Sequence, residues 1–186
     1  FVDLGHTDEP FKTCVSMADL FYREMEKNRD RIAPVTTWKE MEENWRQGKM
    51  SALLTLEEGE VCEGNPAFLR TLYRLGARMM TLTWNYENSL AWPGKGGGVP
   101  ETERGLKQRG FEVLEEMESL GMIVDVSHLS DAGILDVLKA AKKPFVASHS
   151  DARSLASHSR NLTDEMIRGI AEKVGVIGIN YCCSFL

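Results

Sequence analysis

Apolar and polar positions follow helix and strand periods along most of the chain, and one phrase occurs twice. Ile123-Val124-Asp125-Val126-Ser127-His128 and Pro144-Phe145-Val146-Ala147-Ser148-His149 are each a short apolar run ending in Ser-His. Between them, Ser130 to Lys142 reads as a helix: a Ser cap is followed by apolar residues at Ile134, Leu135, Val137 and Leu138. Strand, helix, strand at this spacing is a βαβ unit, whose strands run parallel. Parallel strands end on a common rim, so His128 and His149 are expected side by side there. In α/β barrels that rim carries function.

The same reading covers the rest of the chain. The opening Phe1–Leu4 is an apolar start without an initiator Met and reads as a strand of something longer. Asp8-Glu9-Pro10 opens a helix over Phe11 to Asn28, with Val15, Leu20, Phe21 and Met25 offered for burial. Thr36-Thr37 caps a helix from Trp38 to Gln47, with Glu40 in its first turn and Gly48 after its end. Met50–Leu56 is a strand, Asn65–Leu75 a helix stopped by Gly76, and Ala77–Trp84 a strand. A long Gly-, Asn- and Trp-rich loop from Asn85 to Gly98 should lie over the functional rim. Glu101–Leu120 is a helix with Leu106, Phe111, Leu114 and Met117 as its apolar set. Thr163 caps a helix from Asp164 to Lys173, and Val176–Tyr181 is the last strand.

Six strands with helices between most of them give an α/β fold of the (β/α)8, TIM-like barrel kind. A complete barrel has eight strands and typically ~250 residues, so the chain is expected to be an incomplete one, about two βα units short, forming one partial domain over residues 1–186. Six strands cannot close, which leaves edges at Phe1–Leu4 and Val176–Tyr181 apolar enough to favour a homo-oligomer.

Composition narrows the function classes. A length of 186 residues, 42% hydrophobic and 27% charged, suits a soluble globular domain. No apolar run approaches the ~20 residues of a membrane span, and a cytoplasmic protein is expected. A net charge of -6 with scattered Lys and Arg gives no footprint for nucleic acid. Cys14, Cys62, Cys182 and Cys183 have neither metal nor disulfide spacing and read as reduced packing residues, the last two on opposite faces of a strand.

Candidate chemistry gathers at strand ends. One His at such a place often satisfies a buried hydrogen bond; two in matched positions point to a metal. Glu57 ends its strand as His128 and His149 end theirs, and one carboxylate with two imidazoles suits a divalent metal such as zinc. Their ligand atoms should then lie within roughly 3–5 Å of one another. Glu58 competes for the carboxylate position, but strand neighbours face opposite ways and only one of the pair can enter the site. His6-Thr7-Asp8 has a metal-ligand spacing; it precedes a helix start, where Asp8 reads as a cap. His158, in a Ser-rich loop, reads as a surface residue, and Arg160 as a helix-capping or surface arginine unless it holds an anion.

The phrases LLTLEEG, LRTLYRLGARMMTLTWN, LGMIVDVSHLS, PFVASHSDARSLASHSRNLTDE and GVIGINY resemble the membrane (renal) dipeptidase family of zinc hydrolases on a metal-dependent α/β barrel. The resemblance covers nearly the whole chain from Met50 onward. It implies hydrolysis of dipeptides at a binuclear zinc site with a bridging hydroxide. It places the bridging glutamate at Glu57, the second metal's histidines at His128 and His149, and the substrate-carboxylate arginine at Arg160. The family's first strand, with its His-x-Asp ligands, and its acid/base aspartate would fall outside this chain, making His6 and Asp8 a look-alike. The chain alone is therefore expected to keep one metal half-site and to be inactive. Some members carry a substrate-contacting histidine where this chain has Trp84. Other readings are a metal-dependent amidohydrolase or phosphoesterase on the same barrel, and a non-catalytic ligand-binding barrel.

Overall fold

The computed structural model describes residues 1–94 and 100–186. Helices and strands alternate in the order α1 (Pro10–Lys27), β1 (Ile32–Val35), α2 (Trp38–Arg46), β2 (Met50–Leu53), β3 (Thr55–Glu57), α3 (Pro66–Arg74), β4 (Met79–Thr81), α4 (Gln108–Leu120), β5 (Ile123–Asp125), α5 (Asp131–Ala140), β6 (Val146–Ala147), α6 (Asp164–Glu172) and β7 (Val176–Ile177). Every strand pairing is parallel. The main sheet has five strands in the order β3-β4-β5-β6-β7, and β1 and β2 form a separate pair. The fold is thus mixed α/β with parallel sheets; the described strands form this five-strand sheet and the separate pair rather than an eight-strand ring.

Local sequence explains most boundaries. Thr37 and Glu40 form the reciprocal capping box expected for α2. Ser130 and Thr163 accept hydrogen bonds from the backbone N–H of Gly133 and Met166, starting α5 and α6 where the sequence places them. Gly76 takes φ 104° just beyond α3, in the half of conformational space that favours glycine.

Three expectations fail in the structure. Phe1–Leu4 is not a strand, although Val2 N–H donates to the Glu57 carbonyl at 3.2 Å beside β3. The expected strand Met50–Leu56 is two: it pairs with β1 as far as Leu53, then turns to β4 from Thr55 onward. Its partner β1, which runs through Pro34, carries no strand signal strong enough to be read. The helix expected from Glu101 begins only at Gln108, because residues before it pack on α5. A Cβ on Gly105 would lie 2.1 Å from Asp136 Oδ2, and Leu106 N–H donates to that oxygen. Of the loop expected from Asn85 to Gly98, residues 95–98 lie outside the described residues.

The α1 face also differs. Pro10, Cys14 and Ala18 are buried and Leu20 is exposed, and the residue capping α1 is Glu9, without a side-chain bond, rather than Asp8. Cys14 and Ala18 face β3 across a cavity of about 180 Å³, while α1 packs chiefly on β1 and on the turn at 59–62. The core is continuous from Leu56 through Met80, Val124 and Ala147 to Ile170, between the sheet and α3 to α6.

Candidate metal centre

Short parallel strands bring three side chains to one end of the sheet. Glu57 is the last residue of β3, His128 stands three residues beyond β5, and His149 two beyond β6. His128 Nε2 lies 3.0 Å from Glu57 Oε1 and 2.8 Å from His149 Nε2, and His149 Nε2 lies 3.5 Å from the same carboxylate oxygen. Ligands about 2.0 Å from a tetrahedral ion stand about 3.3 Å apart, so the spacing and the donor set both fit a divalent metal. Among the described residues, this is the group of three or more His, Cys, Asp or Glu that meets such a spacing.

Backbone strain marks the site. His128 takes φ 72°, a left-handed conformation costing a residue with a Cβ about 1–2 kcal/mol. The conformation aims its carbonyl at Gly94 N–H, 2.7 Å away, and its ring inward. Glu58 does not join the cluster: it lies one residue beyond β3 at φ 125°, outside strand geometry. It is fully buried, accepting from Glu60 N–H, Trp84 N–H and Asn88 Nδ2, and desolvation raises its pKa. Trp84 is thereby fixed at the rim from beneath.

Burial sets the protonation of the cluster. Desolvation pushes His128 down to about 4, keeping its ring neutral at pH 7. The hydrogen bond from His128 holds the Glu57 carboxyl below its ordinary value. Outside the cluster, Asn85 Oδ1 is 3.1 Å from His128 Nδ1, and Ser148 Oγ is 2.7 Å from His149 Nδ1. Both rings turn Nε2 to the centre and Nδ1 to a polar atom. While the neutral His128 donates from Nε2 to Glu57 its Nδ1 can only accept, which requires Asn85 to present its amide nitrogen there.

Arg160 enters from the loop after β6. That loop is pinned by Arg153, which donates to both Asp131 oxygens at 2.6 and 2.7 Å and to the Asn161 and Ser159 carbonyls. Arg160 is only 7% exposed, and burial lowers its guanidinium to about 10, with Glu57 and Asp125 opposing the shift. His158 accepts from Arg160 N–H and packs against Phe185, with ring centroids 4.3 Å apart and planes tilted at 41°. It is a wall residue, not the surface residue expected. Glu57, His128, His149, Arg160, Trp84 and His158 line one cleft of about 470 Å³.

Outside the cluster, His6 and Asp8 do not approach it, as expected of a look-alike: His6 pairs with Asp3 Oδ2 at 2.7 Å on the surface, and Asp8 is exposed. The reading of the cysteines needs correction. All four cysteines are free, but Cys182 and Cys183 are exposed beyond the end of β7, and Cys182 lines the cleft. Asp125, Ser148 and Asn85 were missed. The Ser of the repeated Ser-His phrase was the signal available for Ser148; nothing in spacing pointed to Asn85.

Comparison with known proteins agrees with this arrangement. The family model for membrane dipeptidases, peptidase family M19, matches residues 5–186. An uncharacterized dipeptidase of Schizosaccharomyces pombe is 37% identical over 75% of this chain and 33% of its own length. The dipeptidase verJ of Clonostachys rogersoniana is 31% identical over 93% of this chain and 44% of its own. A metallopeptidase of Rhodobacter sphaeroides, solved with a phosphinate mimic of the dipeptide L-Ala-D-Ala, superposes with a TM-score of 0.89 at 28% identity, over 92% of this chain and 50% of that one. The chain thus spans about a third to a half of the relatives it matches. With the model match running over almost its entire length, the chain belongs to the membrane dipeptidase family, peptidase family M19.

Proposed function

We propose that the protein is a metal-dependent dipeptidase in which Glu57, His128 and His149 hold zinc and Arg160 holds the substrate's free carboxylate. The observation that carries this reading is the shared cleft: three convergent metal donors and a buried guanidinium with a donor fork facing the same space. In the whole protein Glu57 would serve a binuclear zinc site together with residues beyond this chain, and the five-strand sheet would be an arc of a (β/α)8 barrel. Zinc supplies Lewis acidity toward the scissile carbonyl and brings a water's pKa near 7.

The chain's own residues do the positioning. Glu57 and the two imidazoles fix where the reacting carbonyl comes to rest. Arg160 offers a planar set of donors to an α-carboxylate in a site where burial removes competing water. A clamp on the carboxylate and a metal at the peptide bond would direct cleavage to the bond next to a free C-terminal residue, as a dipeptide offers. The dipeptide mimic bound to the Rhodobacter sphaeroides metallopeptidase is of this substrate class.

The test is a panel assay on the full-length protein, with zinc and with a chelator. Dipeptides should be hydrolysed only in the presence of metal, and C-terminal amidation should lower kcat/KM about 10- to 100-fold through loss of the charge-assisted contact. Equal rates on the free acid and the amide would rule out the Arg160 role. Preference for phosphoesters would replace the dipeptidase reading altogether.

A further inference from the structure

Behind His149 lies a chain of hydrogen bonds whose direction can be worked out from the chemistry of its members. Asp125 is fully buried at the end of β5. Its Oδ1 accepts from Ser127 N–H at 3.0 Å and Ser148 N–H at 2.9 Å, and its Oδ2 lies 2.5 Å from Ser148 Oγ. A carboxylate can only accept, so the single hydroxyl proton of Ser148 points at Asp125. Ser148 Oγ is also 2.7 Å from His149 Nδ1, and with its proton spent it can only accept there. The proton between them belongs to the imidazole. Ser127 Oγ, 3.4 Å from Ser148 Oγ, is the longer contact and can donate to Ser148 without changing this order. It also accepts His149 N–H at 3.1 Å, which fixes the backbone of the same residue.

We propose that Asp125 and Ser148 act as positioning residues: they lock His149 in the Nδ1–H tautomer, so that Nε2 faces Glu57 and His128 as a bare lone pair. The geometry of this relay stands without a metal; its consequence for metal binding rests on the function proposed above. A neutral imidazole carries one ring proton. Free in solution, it can place that proton on either nitrogen, and the wrong choice would put an N–H where a ligand lone pair is needed. The relay removes that choice. It also gives the fully buried Asp125 carboxylate a role: it accepts the hydrogen bond of the Ser148 hydroxyl and so sets its direction. The arrangement across β5 and β6 depends on both strands being in register, since Asp125 pairs with Val146 and its carboxylate caps the chain at Ser148.

Asp125→Asn reverses the relay almost without changing shape. The amide nitrogen replacing Oδ2 would donate to Ser148 Oγ, freeing the hydroxyl proton to donate to His149 Nδ1. The imidazole proton would then move to Nε2, as occurs when the buried aspartate of a Ser-His-Asp triad is replaced by Asn. Imidazole nitrogen NMR of the metal-free protein reads the tautomer directly. His149 should be Nδ1–H in the wild type and Nε2–H in Asp125→Asn. Zinc affinity, from chelator competition, should fall about 10- to 100-fold in Asp125→Asn and Ser148→Ala, and remain near wild type in Ser148→Thr, which keeps the hydroxyl.

An Nε2–H His149 in the metal-free wild type overturns the proposal by itself, whether or not any variant folds. Unchanged zinc affinity in a folded Ser148→Ala also overturns it. If the wild type has the Nδ1–H tautomer, Asp125→Asn inverts it and neither binds zinc, the relay stands and the metal reading of the site fails.

Discussion

Arg153 closes on Asp131 with two parallel hydrogen bonds, 2.6 and 2.7 Å long, and both side chains are largely withdrawn from solvent. The pair joins the first turn of α5 to the loop that carries Arg160, so the position of Arg160 is held by an ion pair that does not line the cleft. Removing one member of a buried pair leaves the other uncompensated, a cost of about 3–5 kcal/mol. Arg153→Ala should therefore lower stability by that order in chemical denaturation. Arg153→Lys keeps the charge but loses the planar fork and the contacts to Asn161 and Ser159. It should leave the fold intact while raising KM for dipeptides more than it lowers kcat. A wild-type KM in Arg153→Lys would show that the loop finds its place without the pair.

Gly178 sits where β7 leaves β6, with its N–H donating to Ala147 O and its carbonyl accepting Ser150 N–H. A Cβ there would fall 2.1 Å from the Ser148 carbonyl oxygen, which is backbone and cannot swing aside. Gly178→Ala should push β7 away from β6 and shift Ser148 with it. The expected result is a loss of about 1–3 kcal/mol in stability, together with weaker zinc binding from the displaced His149. If zinc affinity is unchanged while stability falls, strand β7 is separable from the site.

The parts of this architecture that could be read in the sequence were those encoded locally. Ser130, Thr37 and Thr163 each cap a helix by contacts within four residues, and the repeated Ser-His phrase located β5 and β6, though both strands end short of it, at Asp125 and Ala147. What escaped depends on distant partners. The turn of the chain at Leu54 is set by which neighbour each half pairs with, not by any residue within Met50–Leu56. The late start of α4 follows from Gly105 packing on Asp136, thirty residues away in the hydrogen bond from Leu106. His158 read as surface because Ser-rich neighbours surround it in sequence; Phe185, brought in by the end of the chain, makes it part of a wall. The Glu57, His128 and His149 positions were visible because parallel strands share a rim, whereas Asp125 reads as an ordinary strand residue until Ser148 is placed across from it.

Acid should act on the metal-free protein through His128. Its folded-state pKa is depressed to about 4 by burial, against an ordinary value of 6.5. Above 6.5 the ring is neutral in both states and its contribution to stability is fully present. As pH falls from 6.5 through 4, the unfolded chain takes up a proton that the folded one refuses, and stability is lost. The span corresponds to roughly 3 kcal/mol at most. Denaturation midpoints of the metal-free protein should fall across this window, and His128→Gln should flatten the slope there. An identical slope in the variant would assign the acid sensitivity to other groups.

Trp84 sets the character of the cleft wall beside the metal donors. Its ring stacks on Phe1, with centroids 4.6 Å apart and planes at 27°, meets Tyr86 edge-on at 6.0 Å, and stands 6.3 Å from the His128 ring. Some members of the family that the sequence resembles place a substrate-contacting histidine here. An indole in its place offers a broad apolar face, so the gain should fall on dipeptides with a large apolar side chain. Burying such a side chain against an aromatic wall contributes about 1.5–3 kcal/mol, or roughly 10- to 100-fold in kcat/KM over glycine. Trp84→His should reduce that preference toward unity while leaving zinc affinity unchanged, because the residue donates nothing to the metal. Measuring kcat/KM for Leu-Leu against Gly-Gly in the full-length protein and in its Trp84→His variant decides the matter. A ratio that does not move would show that the side chains of the dipeptide are held on the opposite wall, by His158 and Phe185.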